Sequence, residues 1–164
     1  MAIDAFLYVD GVQGEATAKG FEGWIEILSF SFGASNAANI GSGTGGGAGK
    51  VRFQELKITK ASDKSSAKLW LACCNGTHTK TGKLYCRKAG GTALQYLKYE
   101  LSTLFCTSYN IGASGDEEGK TETPVEELTF VYGALSFTYT PQKADGSADA
   151  AIVTSYDIKT AAGT

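Results

Sequence analysis

Apolar and polar residues alternate with a period of two along most of this sequence, and that period restricts the chain to a largely β fold. The clearest example is the segment of residues 23–33. One face of this segment carries large apolar side chains, those of Trp24, Leu28, Phe30 and Phe32. The other parity begins with Ile25 and Ile27 and ends in the hydroxyls of Ser29 and Ser31. We therefore predict a strand with one core face and one face that ends in hydroxyls.

The remaining β-type segments are residues 3–9, 51–59, 83–88, 95–107, 125–140 and 152–159. Two of them change parity, near Gln54 and Glu55 and at Gly133, and such changes indicate bulges that bend a sheet. Helical spacing predicts one helix over residues 63–74, with Ser62 or Asp63 as N-cap and Gly76 after its end. We expect a mostly β fold, a β-barrel of about eight strands with one flanking α-helix.

Composition supports one domain that spans residues 1–164. A chain of 164 residues with 43% hydrophobic residues can bury a core without metals or disulfides. Its 15 Lys and Arg are balanced by 17 Asp and Glu, so the field that nucleic acid binding needs is absent. The first residues lack a basic, apolar signal sequence and no long apolar run follows, so we expect synthesis in the cytoplasm and no membrane anchor.

A glycine-rich segment, residues 41–49, has the sequence GSGTGGGAG. With almost no side chains to pack, it is either a flexible loop or a loop that a neighbouring molecule orders. Its glycines match a dinucleotide-binding pattern formally, but a strand follows them where that site needs a helix. A phosphate-binding loop fails as well, because Val51 follows Lys50 where Ser or Thr is required.

The candidates for catalysis and metal binding lack the partners that such chemistry needs. His78 is the single histidine and lies in a turn-like sequence. The four cysteines have no spacing typical of a metal site, and we expect buried free thiols: Cys73, Cys74, Cys86 and Cys106. Acidic residues cluster in the polar segment after residue 112, where solvated carboxylates are expected. We predict no catalytic residues, no metal and no cofactor.

Several short runs resemble the haemolysin-coregulated protein (Hcp) family, which supplies the tube subunit of bacterial type VI secretion. The runs are GGGAGKV at 45–51, ITKASDKSS at 58–66, KAGG at 88–91 and YTPQKADG at 139–146. The resemblance implies a β-barrel with a flanking helix. It also implies homo-hexameric rings that stack into a hollow tube, a contractile sheath around the tube, a spike protein at its tip, and small effector proteins in its lumen. Export then needs no signal peptide.

The same resemblance assigns roles to residues. It places a long extended loop at about residues 39–50, which would reach an adjacent subunit or ring and includes Gly41, Gly43, Gly45, Gly46, Gly47, Gly49 and Lys50. It matches Ser31 to a lumen-facing serine, and the parity of the strand adds Ser29. From the residues alone, these two serines fit either an ordinary solvated face or a polar lining for another protein. Phe30 and Phe32 stand where the family often has Trp.

Two other classes of protein stay open. The first is a monomeric small-ligand-binding β-barrel with an internal pocket around Trp24, Phe30 and Phe32. The second is a secreted hydrolase built on Ser31 and His78, although no orienting acid accompanies them. The oligomeric state separates the first from a tube subunit, because a pocketed barrel would be monomeric.

Overall fold

The computed structural model describes residues 4–39, 47–89, 93–113 and 123–164. The strands of this part are β1 (Asp4–Val9), β2 (Ile25–Ile27), β3 (Ser29–Ser31), β4 (Ala34–Asn39), β5 (Gly47–Phe53), β6 (Leu56–Ala61), β7 (His78–Arg87), β8 (Gln95–Gly112), β9 (Val125–Val131), β10 (Ala134–Tyr139), β11 (Ile152–Asp157) and β12 (Ala162–Gly163), and its helix is α1 (Ser66–Asn75). The predicted mostly β fold with one helix is confirmed. The strands outnumber the predicted eight because three predicted strands are divided and because β4 and β12 are not predicted from the sequence.

The long strand β8 organises the main sheet. One edge of β8 pairs with β7, and β7 continues the sheet to β1 and β2. The first half of the opposite edge pairs with β10 and leads to β11 and β12. The second half of that edge pairs with β9 and leads to β6 and β3. Two wings of sheet therefore diverge from the same edge of one strand.

A sharp bend separates the two wings. Thr103 of β8 has a φ of 56°, and it lies opposite Gly133, the residue between β9 and β10. A Cβ on Gly133 would lie 3.3 Å from the Thr103 Cβ, so the two strands approach more closely here than side chains normally permit. The predicted break at Gly133 is confirmed, and it turns the sheet around the core.

The predicted closed barrel is not formed by the described strands. β2 and β3 lie in line along the chain on either side of Leu28, where β2 pairs with β1 and β3 pairs with β6. This segment connects the β7–β1–β2 side of the sheet to the wing of β9, β6 and β3 across the core. Among the described strands, no ladder joins β12, at the end of its wing, to another part of the sheet, so these ladders do not form a closed barrel.

The parity change at Gln54 and Glu55 is a switch between sheets and not the predicted bulge. β5, before it, pairs with β4 in a separate two-stranded sheet, whereas β6, after it, belongs to the main sheet. The Gln54 N–H donates to the Gly33 carbonyl at 2.8 Å, which closes the base of the β4–β5 hairpin. Residues that look like one strand in sequence therefore serve two different sheets.

The core consists of a main cluster inside the curl and a smaller one on the outside of β1. The main cluster includes Leu7, Ile58 and Leu128, all fully buried. The smaller cluster contains Phe6 and Phe21, whose rings stack at 4.3 Å, with Trp24 packed against it. The predicted burial of β1 on both faces is confirmed, because successive residues of this strand enter different clusters.

The helix starts three residues later than predicted. Ser65 is its N-cap and makes no side-chain capping bond, and Gly76 ends it with a φ of 66°, as predicted. Leu69 is the buried residue of the helix, whereas Trp70, which the apolar spacing assigned to the packed face, is 54% exposed. In the part of the chain that the structure describes, no helix has the length and apolarity needed to cross a membrane.

Candidate functional site

Ser29 and Ser31 both lie exposed on one face of β3, with Phe30 between them turned toward the core. The chain reverses parity at Leu28, which is 59% exposed. For that reason Ile25 and Ile27 are buried, although the simple alternation placed them on the same face as the serines. The predicted single apolar face is thus wrong at Leu28, while the common orientation of the two serines agrees with the structure.

Strand pairing places further short polar side chains beside the serines. Ser29 pairs with Thr59 and Ser31 with Lys57 on β6, and these residues in turn pair with Glu127 and Thr129 on β9. Directly opposed residues of antiparallel strands share a face. The row continues onto β8, so the hydroxyl face comprises Ser29, Ser31, Lys57, Thr59, Ser108, Asn110, Glu127 and Thr129.

The side chains of the hydroxyl face bond mainly to one another. Ser29 Oγ and Thr59 Oγ1 are 2.5 Å apart, and Thr129 Oγ1 lies 2.6 Å from Ser108 Oγ. Lys57 Nζ lies 3.2 Å from Glu127 Oε1, and both side chains are about half exposed, so this pair cancels its own charge. The face offers many short donors and acceptors without an apolar anchor or a net charge, and it can contact polypeptides without demanding one sequence.

A buried charge network lies on the other side of the same strands. Lys60 and Glu126 are 0% exposed and face each other across β6 and β9, with Lys60 Nζ 2.6 Å from Glu126 Oε2. Lys60 Nζ also lies 2.9 Å from Asp63 Oδ1 and donates to Ser66 Oγ at 3.2 Å. The Tyr109 hydroxyl donates to Glu126 Oε1. The network ties the start of α1 to the sheet that carries the hydroxyl face.

Burial by itself would raise the pKa of Glu126, but hydrogen bonds from Lys60, Tyr109 and Ser66 outweigh burial and hold that pKa below its ordinary value. Burial, together with the hydrogen bond to the Glu126 carboxylate, raises the pKa of Tyr109 to about 12. At neutral pH the network is therefore an ion pair with a neutral phenol. The sequence patterns did not predict this network, although Lys60 and Glu126 share the parity of the core residues in their strands, which is a signal for a buried charge pair.

The glycine-rich segment is described in part. Gly41, Gly43, Gly45 and Gly46 lie outside the described residues. Gly47, Gly49 and Lys50 belong to β5, so the predicted loop of residues 41–49 is a strand over its last residues. A Cβ on Gly49 would lie 2.0 Å from the Ala37 carbonyl oxygen of β4, so this position requires glycine. The hairpin of β4 and β5 stands apart from the main sheet.

The residues of the two rival sites are not brought together. Trp24 packs against the smaller cluster, whereas Phe30 and Phe32 pack against the main one, so they line no common internal pocket. The His78 ring lies 5.0 Å from the Phe105 ring on β7 and β8, and in the described part of the chain no side chain hydrogen-bonds to it. Ser31 is on β3 and has no general base beside it among these residues.

The four thiols are free. Cys86 and Cys106 are buried, as predicted, but Cys73 is partly exposed and Cys74 is exposed. Within the ranges that the structure describes, no group of three or more His, Cys, Asp and Glu side chains could hold a metal ion.

In the part of the chain that the structure describes, the curled sheet and the hydroxyl face are typical of a protein that contacts other polypeptides. The family model described as "Type VI secretion system effector, Hcp" matches residues 6–139. The chain belongs to the Hcp family, the tube proteins of type VI secretion, which are secreted.

Protein hcp1 of Pseudomonas aeruginosa is 39% identical to this chain over 150 residues, which is 91% of this chain and 90% of that protein. A solved structure described as that of a type six secretion system protein is similar with a TM-score of 0.92 and 30% identity, and it covers 99% of this chain and 100% of its own. Hcp1 from Salmonella typhimurium has a TM-score of 0.78 at 27% identity, with both chains fully covered.

Proposed function

We propose that six copies of this chain form a ring and that the rings stack into a hollow tube that carries small effector proteins. The tube works inside a contractile sheath, beneath a spike protein, and leaves the bacterial cytoplasm without a signal peptide. The chain catalyses no reaction and binds neither nucleic acid nor cofactor. The alternative, a monomeric ligand-binding barrel, loses its basis because Trp24, Phe30 and Phe32 share no pocket.

The observation that carries the proposal is an uncovered continuation of the core face of the sheet. On this face Leu84, fully buried, pairs with Tyr99, and Tyr99 pairs with Phe137, whose ring lies 4.9 Å from that of Tyr99. The same face continues through Tyr139 to its partner Ile152 on β11. We call Phe137, Tyr139 and Ile152 the inner-face extension. They are 38%, 41% and 62% exposed, although they continue a core.

A ring explains this extension. In a closed ring each copy presents one patch to a different patch of the next copy, and six repeats leave no patch uncovered. Adjacent apolar side chains gain roughly 25 cal/mol for each Å² of apolar surface removed from water. The formal net charge of -2 per chain keeps the repulsion between copies small. The hydroxyl face then faces the lumen, with Ser29 and Ser31 as contacts for cargo.

The mass of the purified chain in solution tests the ring. Light scattering after size-exclusion chromatography, over a range of concentrations, should give a mass near six subunits. Ile152→Lys places a charge in the inner-face extension and should lower that mass toward the monomer. Val153→Lys is the matched control, because Val153 is 60% exposed on the same strand but on the opposite face.

If the unmodified chain is a monomer at every concentration, the ring is overturned and the monomeric ligand-binding barrel is favoured. Equal loss of mass in both variants would show that the inner-face extension is not the surface that meets the neighbour. Circular dichroism of each variant separates a lost contact from a lost fold.

A further inference from the structure

We propose that Cys73 and Cys106 are a disulfide site, closed when the secreted chain meets an oxidising surrounding, which fastens the end of α1 to β8. The proposal requires an oxidant and the fold of one chain, and it does not depend on the formation of rings. It assigns a chemical use to two of the four thiols, which the tube function leaves unexplained.

The packing of the helix places Cys73 against the part of the core that contains Cys106. Cys73 lies in the last turn of α1 and packs against the main core cluster, of which Cys106 is a buried member. Leu69 and Ala72, from the same face of the helix, line a small cavity together with Cys106. Just past the helix, a Cβ on Gly76 would lie 3.4 Å from the ring of Phe105, the residue before Cys106. The last turn therefore covers this part of β8.

The Cys73 side chain lies close enough to Cys106 to affect the ionisation of its thiol. Burial, followed by the charge and the hydrogen bond of the Cys73 side chain, raises the pKa of the Cys106 thiol to about 12. Cys106 Sγ also donates to the Ser108 carbonyl at 3.4 Å, beside a shift in the β8–β9 register. An irregular strand can adjust its backbone more readily than a regular ladder, and a disulfide needs such adjustment to reach its own geometry.

The other cysteines do not compete for this bond. Cys74 is exposed, and consecutive residues of an α-helix point about 100° apart, so it is turned away from β8. Cys86 is buried on β7, where it pairs with Leu97 and not with the part of β8 under the helix. The geometry therefore selects Cys73 with Cys106.

The chemistry is a thiol–disulfide exchange with a small disulfide such as oxidised glutathione. The Cys73 thiolate, which is the accessible one, attacks a glutathione sulfur, so a mixed disulfide forms and one glutathione thiolate leaves. The Cys106 thiol then loses its proton to water, and its sulfur attacks Cys73 Sγ and releases the second glutathione. Two protein thiols are oxidised, and one glutathione disulfide is reduced to two thiols.

Peptide mapping of the full chain tests the site. The purified protein is incubated with oxidised glutathione, the remaining thiols are blocked with N-ethylmaleimide, and the chain is cleaved with trypsin. Cys73 and Cys74 fall in the peptide of residues 69–80 and Cys106 in that of residues 99–120. We expect these two peptides to be linked in the wild type and in Cys74→Ser and Cys86→Ser.

The link should be lost in Cys73→Ser and in Cys106→Ser, and in the latter the glutathione adduct on residues 69–80 should persist. Closure should be faster at pH 9 than at pH 7, because burial raises the pKa of the Cys106 thiol and the attacking species is the thiolate. The oxidised wild type should melt roughly 5–10 °C above the reduced protein.

Absence of the linked peptide in the oxidised wild type would overturn the proposal. A link that persists in Cys73→Ser would overturn it too, because Cys74 would then be the partner. Cys73 is partly exposed, so Cys73→Ser is expected to fold even if replacement of the buried Cys106 is not tolerated.

Discussion

At the scale of single residues, Lys60 and Glu126 contribute most to the support of the candidate lumen surface. Both are 0% exposed, and Lys60 Nζ contacts the side chains of Glu126, Asp63 and Ser66 and the Ala61 carbonyl. A buried charge is tolerated when a partner and hydrogen bonds replace its water. The two residues therefore hold the strands of the hydroxyl face and the start of α1 in one arrangement.

Glu126→Ala should destabilise the protein by about 3–5 kcal/mol, because it leaves the buried ammonium of Lys60 without its main partner. Glu127→Ala is the matched control, since Glu127 is the next residue and pairs with Lys57 at 3.2 Å on the exposed face. Loss of that exposed pair should lower the free energy of unfolding by at most about 1 kcal/mol. Urea unfolding at neutral pH measures both changes.

The dependence of stability on pH gives a second test of the same pair. Because the pKa of Glu126 is lowered in the folded state, its ion pair stabilises the fold above the ordinary Glu pKa of 4.5. This contribution is lost as the pH falls through the lowered pKa. The difference in free energy of unfolding between wild type and Glu126→Ala should therefore shrink below pH 4.5. If Glu126→Ala and Glu127→Ala lower the free energy of unfolding equally at pH 7, the role given to the network is wrong.

At the scale of elements, the β4–β5 hairpin differs from the rest of the fold. It forms its own two-stranded sheet, whose base is closed by the hydrogen bond from Gln54 to Gly33. At this base Phe53 packs against the core, and the Tyr132 hydroxyl donates to the Gln54 carbonyl at 3.2 Å. An isolated two-stranded sheet is at best marginally stable in water. A neighbouring copy that covers it would supply the missing contacts.

Deletion of residues 41–46 should leave the thermal midpoint nearly unchanged but reduce the formation of rings and tubes. The main sheet loses no strand by this deletion, whereas the segment proposed to reach an adjacent subunit or ring loses most of its glycines. Electron microscopy of concentrated samples, together with the mass in solution, measures assembly. Deletion of residues 114–119 removes the same number of residues from the connection between β8 and β9 and serves as the control. Intact rings and tubes after the first deletion would contradict an assembly role.

At the scale of the whole molecule, the fold separates two surfaces. The inner-face extension is apolar and continues the core, whereas the hydroxyl face is polar and lies on the other side of the curled sheet. Self-association and the binding of cargo can therefore be changed independently. This separation suits a tube, since one face must repeat the same contact and the other must accept different proteins.

Ser31→Gln should spare the rings and reduce the retention of effector proteins, because a larger side chain fills space on the hydroxyl face. Retention of effector proteins is measured by recovering the tagged chain from its native host. Mass spectrometry then identifies the proteins that accompany it. Ser155→Gln is the control, since Ser155 is an exposed strand serine on β11, away from the hydroxyl face. Unchanged retention in Ser31→Gln, with rings intact, would count against a cargo contact there.

Much of the fold could be predicted where the signal is local. The alternation in β1 places Leu7 and Phe6 in different clusters, and Gly76 and Gly133 mark a helix end and a bend. Local sequence signals gave wrong predictions where tertiary contacts determine the limits or the pairing of a strand. The start of β7 at His78 was missed because its first residues are polar and partly exposed, and the hairpin at Gln54 was read as a bulge.

The sequence by itself determined that the chain is mostly β with one helix and that Ser29 and Ser31 share a face. These properties follow from the period of side chains along a strand, which neighbouring residues specify. Only the tertiary structure decided that Thr59, Ser108 and Thr129 join these serines, that Lys60 meets Glu126, and that Cys73 packs against the core cluster that contains Cys106. Such pairs are far apart in sequence, and which strand or helix lies beside another depends on how the whole chain packs around its core.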